Sequence, residues 1–459
     1  MGVLDTVTTH LSEMNFEALP SVLIEVTKKQ ILDTLAATVG GSTCDVSGEL
    51  SGLVELIKEW GGKEESSIVA FGGKVPAANA AFLNGTLAVR LDFDDTHADM
   101  VHNHVSRAVV PTAFAVAERR GNVNGKELIT AVALGYDLSA RMKQAVGRDA
   151  DSAFGMTTNF FGATATAGKI LGHTSEELKT ALGLALNQIS GAGAYARSNL
   201  KGLSNGFAAK GGVLSALFAD KGFSSSMDFM EPVAKNNFYD QFYHGYYWPW
   251  LITQDLGKVF AGTSASQKEF PCCHGQHAAI KAALGLIREH AISPEDVASV
   301  ELRLSPMDYS LLGTPLERKQ DPQNIIETQF SLCWGVAGAI VYGEVGIGNF
   351  GEEALRDTRV REMARKVFPR SEVELGGHGF TPAIVKILTN DGAAYSRRVE
   401  FPFGSPRNPM SFADVAAKFR HCCQYSVRPI PHENQDKVIN MARDLEEVGD
   451  VGAIMRLLC

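Results

Sequence analysis

The densest group of side chains that could do chemistry lies between two apolar stretches, at residues 91–111 (LDFDDTHADMVHNHVSRAVVP). The group comprises Asp92, Asp94, Asp95, Asp99, His97, His102 and His104. So many titratable groups beside Gly- and Ala-rich helices are costly to bury, so the segment predicts a functional site. The alternative is a polar helix cap, in which aspartates accept hydrogen bonds from free backbone amides.

Two other segments combine cations with predicted helix starts. Lys201 lies in ARSNLKGLSNGFAAKGG, in a predicted Gly/Ser/Asn loop just before a helix, where an ammonium and the free amides of the helix could bind an anion. An exposed loop lysine is the alternative. The segment KEFPCCHGQH, residues 268–277, brings Lys268 and His277 together and predicts a site for a substrate carboxylate. Cys272 in this segment is expected to be buried packing.

Metal sites are possible in two of these segments. The spacing of Asp94, Asp95 and Asp99 is similar to the magnesium-binding helix of terpene cyclases, but no second Asn…Ser…Glu motif follows. His274 and His277 could join a cysteine as zinc ligands, but the cysteine pair at 422–423 follows no ligand spacing. We predict an enzyme without a metal ion.

The sequence GIGNFG at 346–351 matches the GxGxxG fingerprint of dinucleotide-binding proteins. That fingerprint requires a preceding strand and a βαβ setting. Here it follows the helical run SLCWGVAGAIVYG, so we predict a helix end and a turn, and no nicotinamide cofactor.

The elements that must position these residues are mainly helices. Apolar spacing predicts helices at 17–40, 76–90, 107–120, 125–146, 160–171, 175–190, 206–219 and 276–290. Glycine and alanine recur at their contacts, which predicts close helix packing. No convincing alternating strand precedes residue 295, whereas VASVELRLS at 297–305 alternates, and Asn390-Asp391-Gly392 predicts a hairpin turn. We predict a mainly α protein with an all-helical domain at 1–266, completed by 405–459, and a smaller α+β domain at 267–404.

Composition limits the function classes. A net charge of -9 argues against a nucleic-acid binder, which needs a basic surface to neutralise phosphates. No apolar run reaches the ~18 residues that a membrane span needs, and the N-terminus lacks a secretory pattern. Seven cysteines, including two adjacent pairs, do not resemble a disulfide framework. We expect a cytoplasmic protein.

The motifs resemble, in order, the landmarks of the MmgE/PrpD family. They are NGTLAVRLDFDDTH, HVSRAVVP, GYDL, KGLSNGFAAKGG, KEFPCCHGQH, ETQFSLCWGVAGAIVYG and GSPRNPMSFADVAAKF. The family includes 2-methylcitrate dehydratase, cis-aconitate decarboxylase and iminodisuccinate epimerase. The resemblance implies a large helical domain with a smaller α+β lid, a homodimer, no metal or organic cofactor, and a site between the domains.

The resemblance also implies site residues. It implies that the catalytic residues are Asp92, His104, Lys201, Lys268 and His277, and that Thr96 and Tyr309 contact the substrate. We predict further substrate contacts by nearby residues of the same segments, His97, His102, Arg107, Arg197, Ser204 and Cys273. His102 is the alternative counterpart of His104. Ala153 and Ser204 stand where the family has histidines, and Arg107 stands where a glycine is common. Arg107 and Arg197 could therefore recognise a different anion.

The predicted reaction proceeds through a carbanion next to a carboxylate on a small di- or tricarboxylic acid. We expect a dehydratase-type lyase, with His104 as the acid/base and the two lysines as carboxylate ligands or proton donors. Asp92 would orient His104 or tune its charge. A decarboxylase, an isomerase or epimerase, and a non-catalytic carboxylate-binding protein are the alternatives.

Overall fold

The computed structural model describes residues 2–43, 48–97, 103–146, 156–189, 201–231, 234, 237–376 and 382–459, with only the backbone of residue 201. The chain forms two compact units. One consists of Met1–Arg90, Asp94–Ala265 and Ser411–Cys459, and the other of Leu91–Phe93 and Ser266–Met410. The domain bounds given above stay a prediction. Within the described residues, no helix has the length and apolar character needed to cross a membrane.

Helices dominate both units. The first eleven are α1 (Val3–Glu13), α2 (Ser21–Gly41), α3 (Glu49–Glu59), α4 (Ala77–Leu87), α5 (Ser106–Arg120), α6 (Gly125–Gln144), α7 (Thr158–Leu171), α8 (Ser175–Leu186), α9 (Lys201–Asp220), α10 (Phe238–Tyr243) and α11 (Trp250–Thr253). The next seven are α12 (His277–Glu289), α13 (Pro306–Asp308), α14 (Leu316–Gln320), α15 (Ile325–Gln329), α16 (Leu332–Tyr342), α17 (Glu352–Arg356) and α18 (Thr358–Ala364). The chain closes with α19 (Phe412–Gln424), α20 (His432–Arg443) and α21 (Gly452–Leu457).

Helix α6 shows how local sequence sets these bounds. The Asn124 side chain accepts a hydrogen bond from the Glu127 amide, and the Glu127 carboxylate accepts one from the Asn124 amide. This reciprocal cap satisfies two amides that have no partner within the helix. The predicted start of the helix at Gly125 is confirmed.

Close packing by small residues is confirmed where α6 meets α7. A Cβ atom on Gly135 would lie 1.9 Å from the Thr166 hydroxyl and 2.6 Å from the Gly162 carbonyl oxygen. No side chain fits in that space, so the two backbones can approach only because both positions are glycine.

Helix α9 begins five residues before the predicted start at 206, so the prediction that residue 201 lies in a loop is wrong. The reason is packing against α4. A Cβ on Gly206 would lie 2.4 Å from the Phe82 carbonyl oxygen, so glycine here permits a close helix contact. That tertiary contact outweighs the low intrinsic helix propensity of glycine, which is about 1 kcal/mol below that of alanine.

The smaller unit is built on a four-stranded sheet. The strands of this sheet are β5 (Val297–Leu304), β6 (Val367–Ser371), β7 (Ala383–Thr389) and β8 (Ala394–Val399). Four two-residue strands precede them in the chain and lie outside this sheet: β1 (Ser66–Ser67), β2 (Lys74–Val75), β3 (Thr96–His97) and β4 (Ala265–Ser266). The sheet order is β6-β5-β7-β8. Strand β6 is parallel to β5, and the other pairs are antiparallel.

Buried and more exposed residues alternate along β5, so that one face of this sheet is buried. Val300, Leu302 and Leu304 of β5 are buried, and they belong to the same apolar core as Ile280 of α12 and Trp334 of α16. The predicted strand at 297–305 and the hairpin turn at residues 390–392, between β7 and β8, are confirmed. The structure thus confirms the predicted fold class, a mainly helical protein with a smaller α+β part.

Candidate active site

Asp92 and Lys268 form a buried ion pair in the smaller unit. The Lys268 ammonium donates to the Asp92 carboxylate at 3.0 Å and to the Asp92 backbone carbonyl oxygen at 2.7 Å. The side chains are 0% and 4% exposed, respectively. Charge pairs are strong in such a place because little water screens them. The structure thus brings together two of the five predicted catalytic residues.

The backbone of Asp92 adopts an unusual conformation. Its φ angle is +52°, in the left-handed region that residues with a Cβ rarely adopt. Aspartate tolerates this region better than most residues do. In this conformation, both the carbonyl oxygen and the carboxylate of Asp92 accept hydrogen bonds from the Lys268 ammonium. Strained backbone conformations of this kind are concentrated at functional sites.

A second cluster lies in the larger unit around His104. The His104 Nδ1 atom is 2.6 Å from the Asp95 carbonyl oxygen and 3.3 Å from Oδ2 of Asp94. A carbonyl oxygen can only accept, so Nδ1 carries the hydrogen. In the neutral ring the other nitrogen, Nε2, is then free of hydrogen and can take a proton.

Arg107 completes this cluster. Its guanidinium donates from Nη1 to Oδ2 of Asp94 at 3.0 Å, and Nη2 lies 2.8 Å from the Met156 sulfur. The side chains of Arg107 and Asp94 are both 0% exposed. The Arg107 guanidinium therefore contacts groups inside the protein, and its predicted binding of substrate stays a prediction.

The backbone at His104 is fixed from neighbouring helices. The Asn159 amide of α7 donates to the His104 carbonyl oxygen at 2.8 Å, and the Ser139 hydroxyl of α6 donates to Oδ1 of Asn159 at 3.0 Å. The Asp95 carboxylate accepts from the Ser106 amide at 3.2 Å, at the start of α5. His104 is therefore held through both its ring and its backbone.

Asp95 is the titratable group of this cluster that burial affects most clearly. Burial, followed by the charges of Asp94 and Asp33, raises the pKa of Asp95 to about 7. A hydrogen bond with the Ser106 side chain and the Arg107 charge oppose this rise. Burial and the neighbouring Asp95 also raise the pKa of Tyr136 well above its usual value. Carboxyl groups with a pKa near neutrality are common in functional sites.

The predicted carboxylate site at His277 lies in the smaller unit, where α12 begins. The His277 side chain is buried, and its ring lies 4.9 Å from the His274 ring, centroid to centroid, in a stacked arrangement. Its Nε2 atom is 3.4 Å from the Cys272 carbonyl oxygen. Phe270 packs on the same ring at a centroid distance of 5.2 Å.

The two cysteines of this segment are poor nucleophiles. Burial raises the pKa of Cys272 well above its usual value, and it raises that of Cys273 to about 11. The thiolate is the reactive form of cysteine, so neither residue is activated. The expectation that Cys272 is buried packing is confirmed, and the predicted contact of Cys273 with substrate stays a prediction.

Thr96 and His97 form strand β3 and are both buried. The His97 Nε2 atom lies 3.0 Å from the carbonyl oxygen of Ala261, whose amide donates to the Asp137 carboxylate at 2.6 Å. His97 therefore helps to hold the chain at Ala261. The substrate contacts predicted for Thr96 and His97 stay predictions.

The remaining predicted residues divide into two groups. Ser204 lies in the first turns of α9, and Tyr309 is half-buried at the start of a π-helical turn, Tyr309–Gly313. His102, Arg197 and Ala153 lie outside the described residues, as does the side chain at position 201. The roles of all these residues stay predictions.

The possible metal ligands do not form a group in the described part of the chain. Within those ranges, no three His, Cys, Asp or Glu side chains are arranged to hold a metal ion, and this covers His274, His277 and the neighbouring cysteines. Asp99 of the other candidate lies outside the described residues. The prediction of a reaction without metal or organic cofactor stays a prediction.

The sequence suggested a role for Asp94 and Asp95 only as possible magnesium ligands, and it did not single out Asn159 or Asp308. Asp308 is buried, and its carboxylate accepts from the Ser305 hydroxyl at 3.0 Å. A Cβ on Gly275 would lie 2.2 Å from this carboxylate, which therefore sits against the backbone just before α12. The position of Asp308 directly before Tyr309 was the available signal, whereas Asn159 had none.

Comparison with known proteins identifies the class. Residues 5–250 match the MmgE/PrpD N-terminal domain, and residues 270–447 match the MmgE/PrpD C-terminal domain. The chain therefore belongs to the MmgE/PrpD family, and the resemblance drawn from its motifs is confirmed.

Individual relatives are distant but span nearly the whole chain. Cis-aconitate decarboxylase from Homo sapiens is 25% identical over 470 residues, which cover 95% of this chain and 90% of the relative. The enzyme of the same name from Aspergillus terreus is 25% identical over 482 residues, covering 100% of this chain and 96% of the relative. That of Mus musculus is 23% identical, with 95% and 89% covered.

Proposed function

We propose that this protein is a cofactor-independent lyase that removes CO2 from a small unsaturated tricarboxylate of the cis-aconitate type. The observation that carries the proposal is the His104 ring, which is held by Nδ1 so that Nε2 is the proton-transfer atom. The names of the relatives favour decarboxylation over the dehydration predicted from the sequence. The dehydratase stays a prediction, and the experiment below tests it too.

The chemistry requires negative charge to be stabilised on carbon. As the carbon–carbon bond to the departing carboxylate breaks, its electron pair remains on the carbon skeleton and CO2 leaves. A proton then forms a new carbon–hydrogen bond and quenches the carbanion. Donors and cations placed in advance stabilise such charge more effectively than water does, because they need no reorganisation during the reaction.

Named residues would divide this work. His104 is the proposed acid, since a proton on Nε2 gives an imidazolium that Asp94 stabilises at 3.3 Å from Nδ1. Lys268 is the proposed cation for a substrate carboxylate or for the developing charge. Asp92 holds the Lys268 ammonium in place. General acid catalysis of this kind is worth about 10²–10⁴ in rate.

The first experiment separates the reaction types with one set of substrates. The purified protein is incubated in D2O with cis-aconitate, citrate and 2-methylcitrate, while CO2 release and proton NMR spectra are recorded. We expect CO2 from cis-aconitate, with one deuterium incorporated on carbon per CO2 released. A new alkene without CO2 would instead support a hydro-lyase, and deuterium exchange alone would support an isomerase.

Variants then test the assignment. His104→Gln is expected to lower kcat by about 10²-fold or more, because the acid is lost. The matched control is His290→Gln, since His290 is a partly exposed histidine whose ring stacks on Tyr395 in the smaller unit. Full activity in His104→Gln would overturn the assignment of His104 as the acid. No reaction with any polycarboxylate in the wild type would overturn the proposed lyase activity and favour a carboxylate-binding protein.

A further inference from the structure

Arg107 and Asp94 form a buried pair whose carboxylate also faces His104. A single oxygen, Oδ2 of Asp94, lies 3.0 Å from Nη1 of Arg107 and 3.3 Å from Nδ1 of His104. Both members of the pair are fully buried, while the His104 side chain is 15% exposed. The pair therefore lies behind the ring, on the Nδ1 side.

Short connections make this arrangement rigid. Arg107 is the second residue of α5, and His104 lies two residues before that helix, so both side chains are fixed to the same helix start. Asp94 and Asp95 are consecutive, and they reach His104 by different groups, one by its carboxylate and the other by its carbonyl oxygen. Two acceptors thus face one ring nitrogen.

Charge decides what this arrangement does. A carboxylate near an imidazole favours the protonated ring, because opposite charges attract. A guanidinium on the same carboxylate oxygen weakens that effect by neutralising part of the negative charge. Among the described residues, the Asp95 carboxylate also lies beside this cluster, where it accepts from the Ser106 amide, and the charge of Asp33 acts on Asp95.

We propose that Asp94 is a positioning residue that holds His104 with Nε2 as the proton-transfer atom, and that Arg107 tunes the charge of Asp94 rather than binding substrate. The catalytic consequence rests on the proposed function. The effect on the His104 ring does not, since it exists in the free protein.

The test is an NMR titration of His104 in the free protein labelled with carbon-13 histidine, with His104→Gln to assign its signal. Asp94→Asn is expected to lower the His104 titration midpoint by about one pH unit, because the attracting charge is lost. Arg107→Met is expected to raise it, because the guanidinium then no longer neutralises part of the Asp94 charge. A double variant, Asp94→Asn with Arg107→Met, carries neither charge and should titrate like Asp94→Asn.

The matched control is Asp137→Asn. Asp137 belongs to another buried Asp–Arg pair, with Arg141 at 2.7 Å, and it has no hydrogen bond to His104. This variant should leave the His104 titration unchanged. If Asp94→Asn does not fold because Arg107 is left unpaired, the double variant provides the same midpoint.

Activity provides the second readout. In Asp94→Asn we expect kcat to fall about 10-fold or more with little change in KM, and the alkaline limb of the pH profile, where His104 loses its proton, to move to lower pH. In Arg107→Met that limb should move to higher pH. Shifts in the same direction, or an unchanged titration midpoint in both variants, would overturn the proposal. An inactive wild type with the opposed NMR shifts would overturn only the proposed function.

Discussion

The two acidic clusters of this protein lie next to each other in sequence, yet their charges are balanced differently. Among the described residues of the smaller unit, Asp92 faces the ammonium of Lys268, at 3.0 Å. In the described part of the larger unit, Asp94 and Asp95 are both fully buried and lie side by side near the guanidinium of Arg107. The first cluster therefore pairs opposite charges, whereas in the second burial and a neighbouring carboxylate raise the pKa of Asp95 to about 7.

The largest expected effect comes from breaking the balanced pair. Lys268→Met leaves the Asp92 carboxylate buried without its cation, which typically costs 3–5 kcal/mol, so we expect a loss of about 4 kcal/mol in unfolding free energy. Urea denaturation measures it. The double variant Asp92→Asn with Lys268→Met removes both charges and should recover most of the stability without recovering activity. An equally unstable double variant would show that packing, not charge, is responsible.

The second cluster should respond to pH instead. The pKa of Asp95 is about 7 in the folded protein and 3.8 in the unfolded reference. Between these values the folded state holds a proton that the unfolded state has lost, so stability falls as pH rises from about 4 to about 7 and is constant above. The shift corresponds to about 4 kcal/mol at most. Asp95→Asn mimics the protonated form, so it should abolish this loss when unfolding is measured at pH 5 and pH 8.

His10, near the start of the chain, has the opposite effect on the pH dependence of stability, so its contribution must be measured separately from that of Asp95. Burial, with the charges of Arg141 and Lys169, lowers the pKa of His10 to about 4. Below pH 6.5 His10 binds a proton in the unfolded state but not in the folded state, so stability falls as pH drops from about 6.5 to about 4. His10→Gln should remove this acid loss in a urea titration series. The same slope in the variant and the wild type would assign the loss to other groups.

The smallest expected effect concerns the backbone at Asp92. Asp92→Gly and Asp92→Ala remove the same carboxylate, but only alanine brings a Cβ into the left-handed conformation at φ +52°. Such a conformation costs roughly 1–2 kcal/mol for a residue with a Cβ, so the alanine variant should be less stable than the glycine variant by about that amount. Equal unfolding free energies would show that the segment relaxes when the carboxylate is lost.

The sequence located those helices in which apolar spacing and caps agree, as at Asn124 and Glu127, but it did not indicate others such as α1 and α3. It failed where packing outweighs local preference, as at Gly206, and where strands are too short to alternate, as at Ser66–Ser67. Strand β6 was also missed. It contains Pro369, and a proline argues against a strand in sequence analysis because it cannot donate a backbone hydrogen bond. The proline is tolerated here because β6 lies at one edge of its sheet.

The sequence also predicted only part of the candidate site, because the partners of its residues are set by tertiary structure. Residue types in the segment at 91–111 identified it as a site, but no pattern in the sequence indicates that Asp92 faces Lys268 while Asp94 faces Arg107. Those partners are set by tertiary structure. An arginine beside acidic residues suggests anion recognition from sequence alone, and only its burial indicates a partner inside the protein.

The contact between Gly206 and α4 limits how this protein could be altered by directed evolution. Gly202 and Gly206 are one helical turn apart, and a Cβ on either would lie within 3.2 Å of α4. Libraries that aim to change the substrate range should therefore vary positions 201 and 204 and keep both glycines. Any side chain at 206 would push α9 away from α4 and move the start of the helix, so such clones would be lost for reasons unrelated to substrate choice.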